Sequence, residues 1–236
     1  MSLRRIRVSL LTVLGCVCLV GCGPIATATP LPTSTPSPTA TPTPTVTPTP
    51  VWTAQSACDH PYFPLREGAR WSYASKLPEG PATREITVTR VTGDLQRATA
   101  ETTDYTYTCD ATGIKYSAPN FIAGTVRTLG GVVLPPPDQL TVGSSWDYVY
   151  EFSFTTVQGD VKTSTYSLTY TVAGSAPVVF NGVAFDGLQI AIEQDADDPG
   201  FLGARVRTQS TYTWILARTI GLLEDNVKIL DSYSIP

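Results

Sequence analysis

From Trp146 to Thr155 the chain alternates. Trp146, Tyr148, Tyr150, Phe152 and Phe154 fall on one side, and Asp147, Glu151, Ser153 and Thr155 on the other, with Val149 the exception. Successive side chains of a strand point to opposite faces, so this run predicts a strand with one aromatic and one polar face. Gln158-Gly159-Asp160 reads as a turn, and a second alternation follows, with Tyr166, Leu168, Tyr170 and Val172 on one side. The two runs predict a long hairpin stabilised by cross-strand aromatic pairs. Similar patterns predict strands over 69–76, 83–91, 95–102, 104–109, 112–117, 176–180, 183–193, 203–217 and 220–230. Asn181-Gly182 between two of them is the strongest short hairpin signal. Near 120–130 the pattern leaves room for short helical turns.

Leu134-Pro135-Pro136-Pro137-Asp138 is incompatible with a central strand and marks a crossing, with two sheet lobes around one core as its reading. No long run has helical period, so no helix is available to cover a sheet face. The expected class is all-β: a curved antiparallel sheet, an open barrel or a β-sandwich.

Ahead of this domain the pattern changes twice. Arg4, Arg5 and Arg7 precede an apolar run from Val8 to Val20 that ends in Leu19-Val20-Gly21-Cys22. The run is shorter than the roughly 20 residues a membrane helix needs, and its layout is that of an export signal. Leu-Val-Gly-Cys resembles the lipobox of bacterial lipoproteins at all four positions. The resemblance implies cleavage before Cys22, a diacylated thiol there, and a membrane-anchored, extracytoplasmic protein in the cell envelope. Residues 1–21 are then signal peptide. Residues 22–54 form a lipidated start and a Thr/Pro-rich linker, and 55–236 are the β domain. The linker, PIATATPLPTSTPSPTATPTPTVTPTP over 24–50, has no apolar face and favours polyproline II. At about 3.1 Å per residue it could span on the order of 80 Å.

Cleavage removes three of the 16 basic residues and none of the 20 acidic ones. The mature chain is acidic and carries no basic run, which argues against a nucleic-acid partner. Cys16 and Cys18 leave with the signal and Cys22 takes the lipid, so Cys58 and Cys109 remain. In an oxidising compartment a structural disulfide between them is the leading reading, with free thiols as the alternative. Closing a loop of about 50 residues would stabilise the fold by on the order of 4 kcal/mol in the chain-entropy account.

Leu65-x-x-Gly68-x-x-Trp71-x-Tyr73 returns as Leu140-x-x-Gly143-x-x-Trp146-x-Tyr148. It reads as one structural device used twice, a turn followed by an aromatic plug, and an ancient duplication also accounts for it. The first phrase, within Tyr62–Tyr73, and the later Trp214-Ile215-Leu216-Ala217-Arg218-Thr219-Ile220-Gly221-Leu222 resemble a loosely described group of bacterial secreted and lipid-anchored β proteins. Thr219 departs from that group's pattern, where a glycine usually stands. The resemblance implies an antiparallel fold, like the open, curled sheets of lipoprotein carriers, and no catalytic chemistry.

Candidate chemistry is sparse. His60 is the one histidine and no nucleophile elbow accompanies it. Asp147 and Glu151 share a strand face but stand too far apart for paired-carboxylate glycoside cleavage. Asp195, Asp197 and Asp198, in an acidic stretch read as a hydrophilic hairpin loop, are a candidate Ca²⁺ site that matches no full calcium loop. No phosphate-binding glycine loop is present and no cofactor is expected. The sequence points to a tethered, non-enzymatic β domain with a structural role or an envelope or surface protein partner. The alternative is a carrier of an apolar ligand or lipid, with Trp146, Tyr148, Tyr150, Phe152 and Phe154 as its ligand face.

Overall fold

The computed structural model of the chain describes residues 52–78, 83–119, 124–156, 158–199 and 205–236. The signal, Cys22 and the linker to Val51 lie outside these residues. Two two-residue strands, β1 (Asp59–His60) and β2 (Phe63–Pro64), pair with each other. Then come β3 (Arg70–Ser75), β4 (Thr83–Gly93), β5 (Arg97–Thr102), β6 (Tyr105–Asp110), β7 (Gly113–Pro119) and β8 (Gly124–Gly131). After a turn of 3-10 helix at Pro137–Gln139 follow β9 (Ser145–Thr155), β10 (Val161–Phe180) and β11 (Val183–Pro199). The last three are β12 (Arg205–Ala217), β13 (Gly221–Glu224) and β14 (Lys228–Ser234).

β3 to β14 form one sheet in the order β7-β6-β5-β4-β3-β14-β13-β12-β11-β10-β9-β8. Every described pairing is antiparallel and, apart from β14 on β3, joins consecutive strands. The sheet is an up-and-down meander whose first and last strands close on each other. Its two edges, β7 and β8, are therefore consecutive in the chain. They are joined by side chains rather than by a ladder: Tyr148 Oη accepts the Tyr116 N–H at 3.2 Å, and Thr128 Oγ1 donates to the Tyr116 carbonyl at 3.3 Å. The Thr128 and Tyr148 hydroxyls lie 3.0 Å apart. A bridge between Ile114 and Leu134 extends the closure. The result is a nearly closed antiparallel barrel, one of the architectures the alternation allowed. Closure spares most strands an exposed edge.

The repeated phrase is repeated in space. Gly68 and Gly143 adopt φ of +83° and +89°, a conformation open to glycine at little cost. The Gly68 N–H donates to the Val88 carbonyl at 2.9 Å, and the Val88 N–H returns to Ala69 at 2.9 Å. Gly143 and Val172 do the same, at 2.8 Å, with the return from Val172 to Ser144 at 2.9 Å. Just past each valine the register slips, between Val88 and Arg90 and between Val172 and Gly174. The barrel is thus two six-strand halves, β3–β8 and β9–β14, each started by the same turn.

Four expectations are corrected. One sheet replaces the two lobes. The described part of the 120–130 stretch, from Gly124, is the strand β8, held by pairing with β9, and not helical turns. The single strand over 220–230 is two: Asp225 Oδ1 accepts the N–H groups of Val227 and Lys228 at 2.8 and 2.9 Å and turns the chain. The acidic stretch is no loop either. Residues 193–199 continue β11, paired with β10 and β12.

Cys58 and Cys109 are disulfide-bonded. The bond pins the segment carrying β1 and β2 onto β6, and this segment caps one end of the barrel. Its Leu65 is buried, and the Pro61 carbonyl accepts the Thr219 N–H at 2.6 Å. Arg66 fastens the cap by pairing with buried Asp59 at 2.9 Å and donating to the carbonyls of Thr53 and Pro236, each at 3.0 Å. It also lies over the Trp52 ring, 4.2 Å from its centroid.

Candidate functional site

The interior is packed at some levels and hollow at another. Trp146 lies flat on Tyr170, centroids 5.2 Å apart and planes at 1°. Tyr148 and Tyr170 are 0% and 1% exposed, beside fully buried Val172, Ile190 and Ile192. Between the strands of the first half and β12–β14 a hollow of about 220 Å³ remains, roughly seven water volumes. Its walls come from β3 (Trp71, Tyr73), β6 (Tyr105, Tyr107), β7 (Tyr116) and β12 (Trp214, Leu216), and its floor from Phe63 and Leu65 of the cap. Alternation explains the wall. Trp71 and Tyr73 are two residues apart on one strand, as are Tyr105 and Tyr107, so each pair projects inward.

The wall is held rigidly. Trp71 Nε1 donates to the Ile220 carbonyl at 2.7 Å and Tyr73 Oη to the Leu222 carbonyl at 3.0 Å. Tyr105, Tyr107 and Tyr116 form a ring cluster with centroid separations of 4.8, 5.5 and 6.2 Å. Burial pushes the phenols of Tyr73, Tyr107 and Tyr116 well above their ordinary value, so they stay protonated and serve as apolar surface with a polar tip.

Four charged side chains also face this space: Arg84, Asp104, Lys228 and Asp225. Arg84 and Asp104 pair at 3.0 Å. Lys228 Nζ lies over the Tyr73 ring, 4.5 Å from its centroid, and burial lowers its pKa.

A second hollow of about 290 Å³ adjoins the β7–β8 seam, walled by Tyr105, Tyr116, Val126, Tyr150, Phe152 and Tyr166. It shares Tyr105 and Tyr116 with the first. Only part of the expected aromatic ligand face meets an open space. Tyr150 and Phe152 line the second hollow, and Phe154 stacks on Phe152 at 5.6 Å. Trp146 and Tyr148 are packing and closure instead. Reading from sequence missed Trp71, Tyr73, Tyr107, Trp214 and Lys228. The repeated phrase held a signal for the first two, because it equates them with Trp146 and Tyr148.

The other candidates are dispersed. Asp197 pairs with Arg205 at 2.8 Å, whereas Asp198 accepts from Tyr166 Oη at 3.3 Å. Neighbours on a strand face opposite sides, so Asp198 is turned away from Asp195 and Asp197. Among the described residues no group of three or more His, Cys, Asp or Glu side chains could hold a metal ion. Asp147 and Glu151 point outward, to Thr169 Oγ1 at 2.8 Å and to Arg127 at 2.6 Å. His60 is buried, its Nδ1 accepts the Tyr62 N–H at 3.1 Å, and burial lowers its pKa to about 4.

The fold and site define a meander barrel with an aromatic hollow. No family model matches the chain, and no curated protein matches it. Among solved structures it is similar to the hypothetical lipoprotein YmcC from Escherichia coli (K12), at 11% identity and a TM-score of 0.43. That likeness covers 75% of this chain and 88% of that one.

Proposed function

We propose that the protein is a non-catalytic binding domain, anchored through a lipid on Cys22 at the extracytoplasmic face of a membrane, that holds an apolar ligand inside its barrel. One observation carries the reading: a hollow walled by Trp71, Tyr73, Tyr105, Tyr107, Tyr116 and Trp214 beside a packed core of Tyr148, Tyr170, Val172, Ile190 and Ile192. Protein interiors are close-packed, and a largely apolar hollow with a few polar groups is the usual form of a ligand site. This hollow is what favours the carrier over the structural or partner-binding role in our reading. The lipobox residues and the Pro-Thr linker support the anchor and its reach.

Titration of the full-length protein with 4-phenylbutanol, followed by tryptophan emission, tests the site. The reading expects a saturable change that Trp214→Ala abolishes. A response that rises without saturation contradicts it. Mass spectrometry of protein from its native cells tests the anchor, with added acyl mass on Cys22 expected and an unmodified Cys22 contradicting it.

A further inference from the structure

The proposed ligand site has a polarity at one end that the aromatic wall does not explain. Of the four charged side chains facing the hollow, three are committed. Arg84 and Asp104 neutralise each other at 3.0 Å. The Asp225 carboxylate accepts the backbone N–H groups of Val227 and Lys228, at 2.8 and 2.9 Å, and so builds the turn between β13 and β14. Lys228 is the exception. Among the described residues its ammonium has no carboxylate within ion-pair distance; it lies over the Tyr73 ring and feels the charges of Asp225 and Asp104 only from farther off.

We infer that the hollow binds a small monoanionic amphiphile, with its apolar body against Trp71, Tyr107 and Trp214 and its carboxylate on Lys228. The inference rests on the proposed binding role and adds the ligand's chemical class. A half-buried ammonium is costly without a counter-charge, and a ring face returns only part of that cost. A ligand carboxylate would supply a charge-assisted hydrogen bond that neither Asp104 nor Asp225, both beyond ion-pair distance of Lys228, makes. Burial already disfavours the charged lysine, so an arriving anion gains from restoring it. The geometry fixes the direction of the ligand. Lys228 opens β14 opposite Ser75, at the end of β3 away from the cap, whereas Phe63 and Leu65 floor the hollow beneath Trp71. The head therefore sits at the Arg84–Lys228 end and the body points to the cap.

Three probes that share one body separate the claims: 4-phenylbutyrate, 4-phenylbutanol and 4-phenylbutylamine, titrated by calorimetry into the full-length protein. The acid should bind about tenfold or more tighter than the alcohol, as a charge-assisted bond implies. The amine should bind weakest. Lys228→Met should bring the acid down to the alcohol's affinity. Lys228→Arg should keep the preference, and unaltered melting of both variants certifies their fold. Equal binding of acid and alcohol overturns the anionic class while the apolar site stands. Binding of none of the three overturns the site itself, and the inference with it.

Discussion

The two halves of the barrel begin with the same phrase and use it differently. In β3–β8, Trp71 donates to the Ile220 carbonyl and presents its ring to the hollow. In β9–β14, Trp146 stacks on Tyr170, and its Nε1 is buried with no hydrogen-bond partner among the described residues. The tyrosines behave alike. Tyr73 reaches past β14 to the backbone of β13, and Tyr148 reaches past β8 to that of β7. Both span a weak place in the ladder: β13 and β14 share one register pair, and β7 and β8 share none among the described residues. A device that first meets a steric need, closing a split with a long side chain, also supplies a site wherever the space behind it is left unfilled. The cap decides which half that is. The disulfide holds it to β6 of the first half, where it floors the hollow instead of filling it.

The sharpest way to break this comparison is to truncate the two tryptophans. Trp71→Ala should cost roughly 3–5 kcal/mol in chemical denaturation, as buried aromatic deletions do, and Trp146→Ala, half-buried, somewhat less. Trp71→Ala alone should abolish binding of 4-phenylbutanol. Loss of binding in both variants, with both still folded, would contradict the division of labour.

A smaller effect should appear with pH. His60 lies in the cap, and the second half has no counterpart to it. Its folded pKa of about 4 is below the ordinary 6.5, so the neutral ring is favoured in the native state. Its contribution is fully present above pH 6.5 and is lost as pH falls toward 4. Buried Asp59 has a raised pKa, mainly from desolvation, and acts in the opposite sense, its cost easing on acidification. The difference between wild type and His60→Gln isolates the histidine. Its stability difference should shift steadily between pH 6.5 and 4, and a flat difference would contradict the buried neutral ring.

Tyr73→Phe and Tyr148→Phe each delete one closing hydroxyl and should each cost about 1 kcal/mol. Backbone amide exchange should accelerate locally, at β13 in the first variant and β7 in the second. Faster exchange throughout the sheet in either case would argue against local latches.

Much of the fold was legible because alternation is a local property. The β9–β10 hairpin, the Asn181-Gly182 turn and most strand positions follow from it directly. The failures came where tertiary pairing overrode local signals. Gly124 to Gly131 is glycine-rich and weak as a strand by itself, and only the neighbouring β9 makes it one. Asp195, Asp197 and Asp198 looked like a wet loop, because a cluster of charges along a long strand resembles charge in a turn. The site was less legible than the fold. The inward direction of Trp71 and Tyr73 was written in the repeat. That they border a space while Trp146 borders a ring depends on the cap, on a disulfide and on closure of β14 against β3. Lys228 carried no local signal, since its position beside Tyr73 exists only once the first and last strands meet.

The decisive experiment for an anion-tipped aromatic hollow between β3–β7 and β12–β14 is a crystal structure of the protein soaked with 4-phenylbutyrate. Electron density for the phenyl ring between Trp71 and Trp214, with the carboxylate within hydrogen-bond distance of Lys228 Nζ, is the predicted result. Density confined to the outer surface, or side chains closed over the hollow, would contradict it.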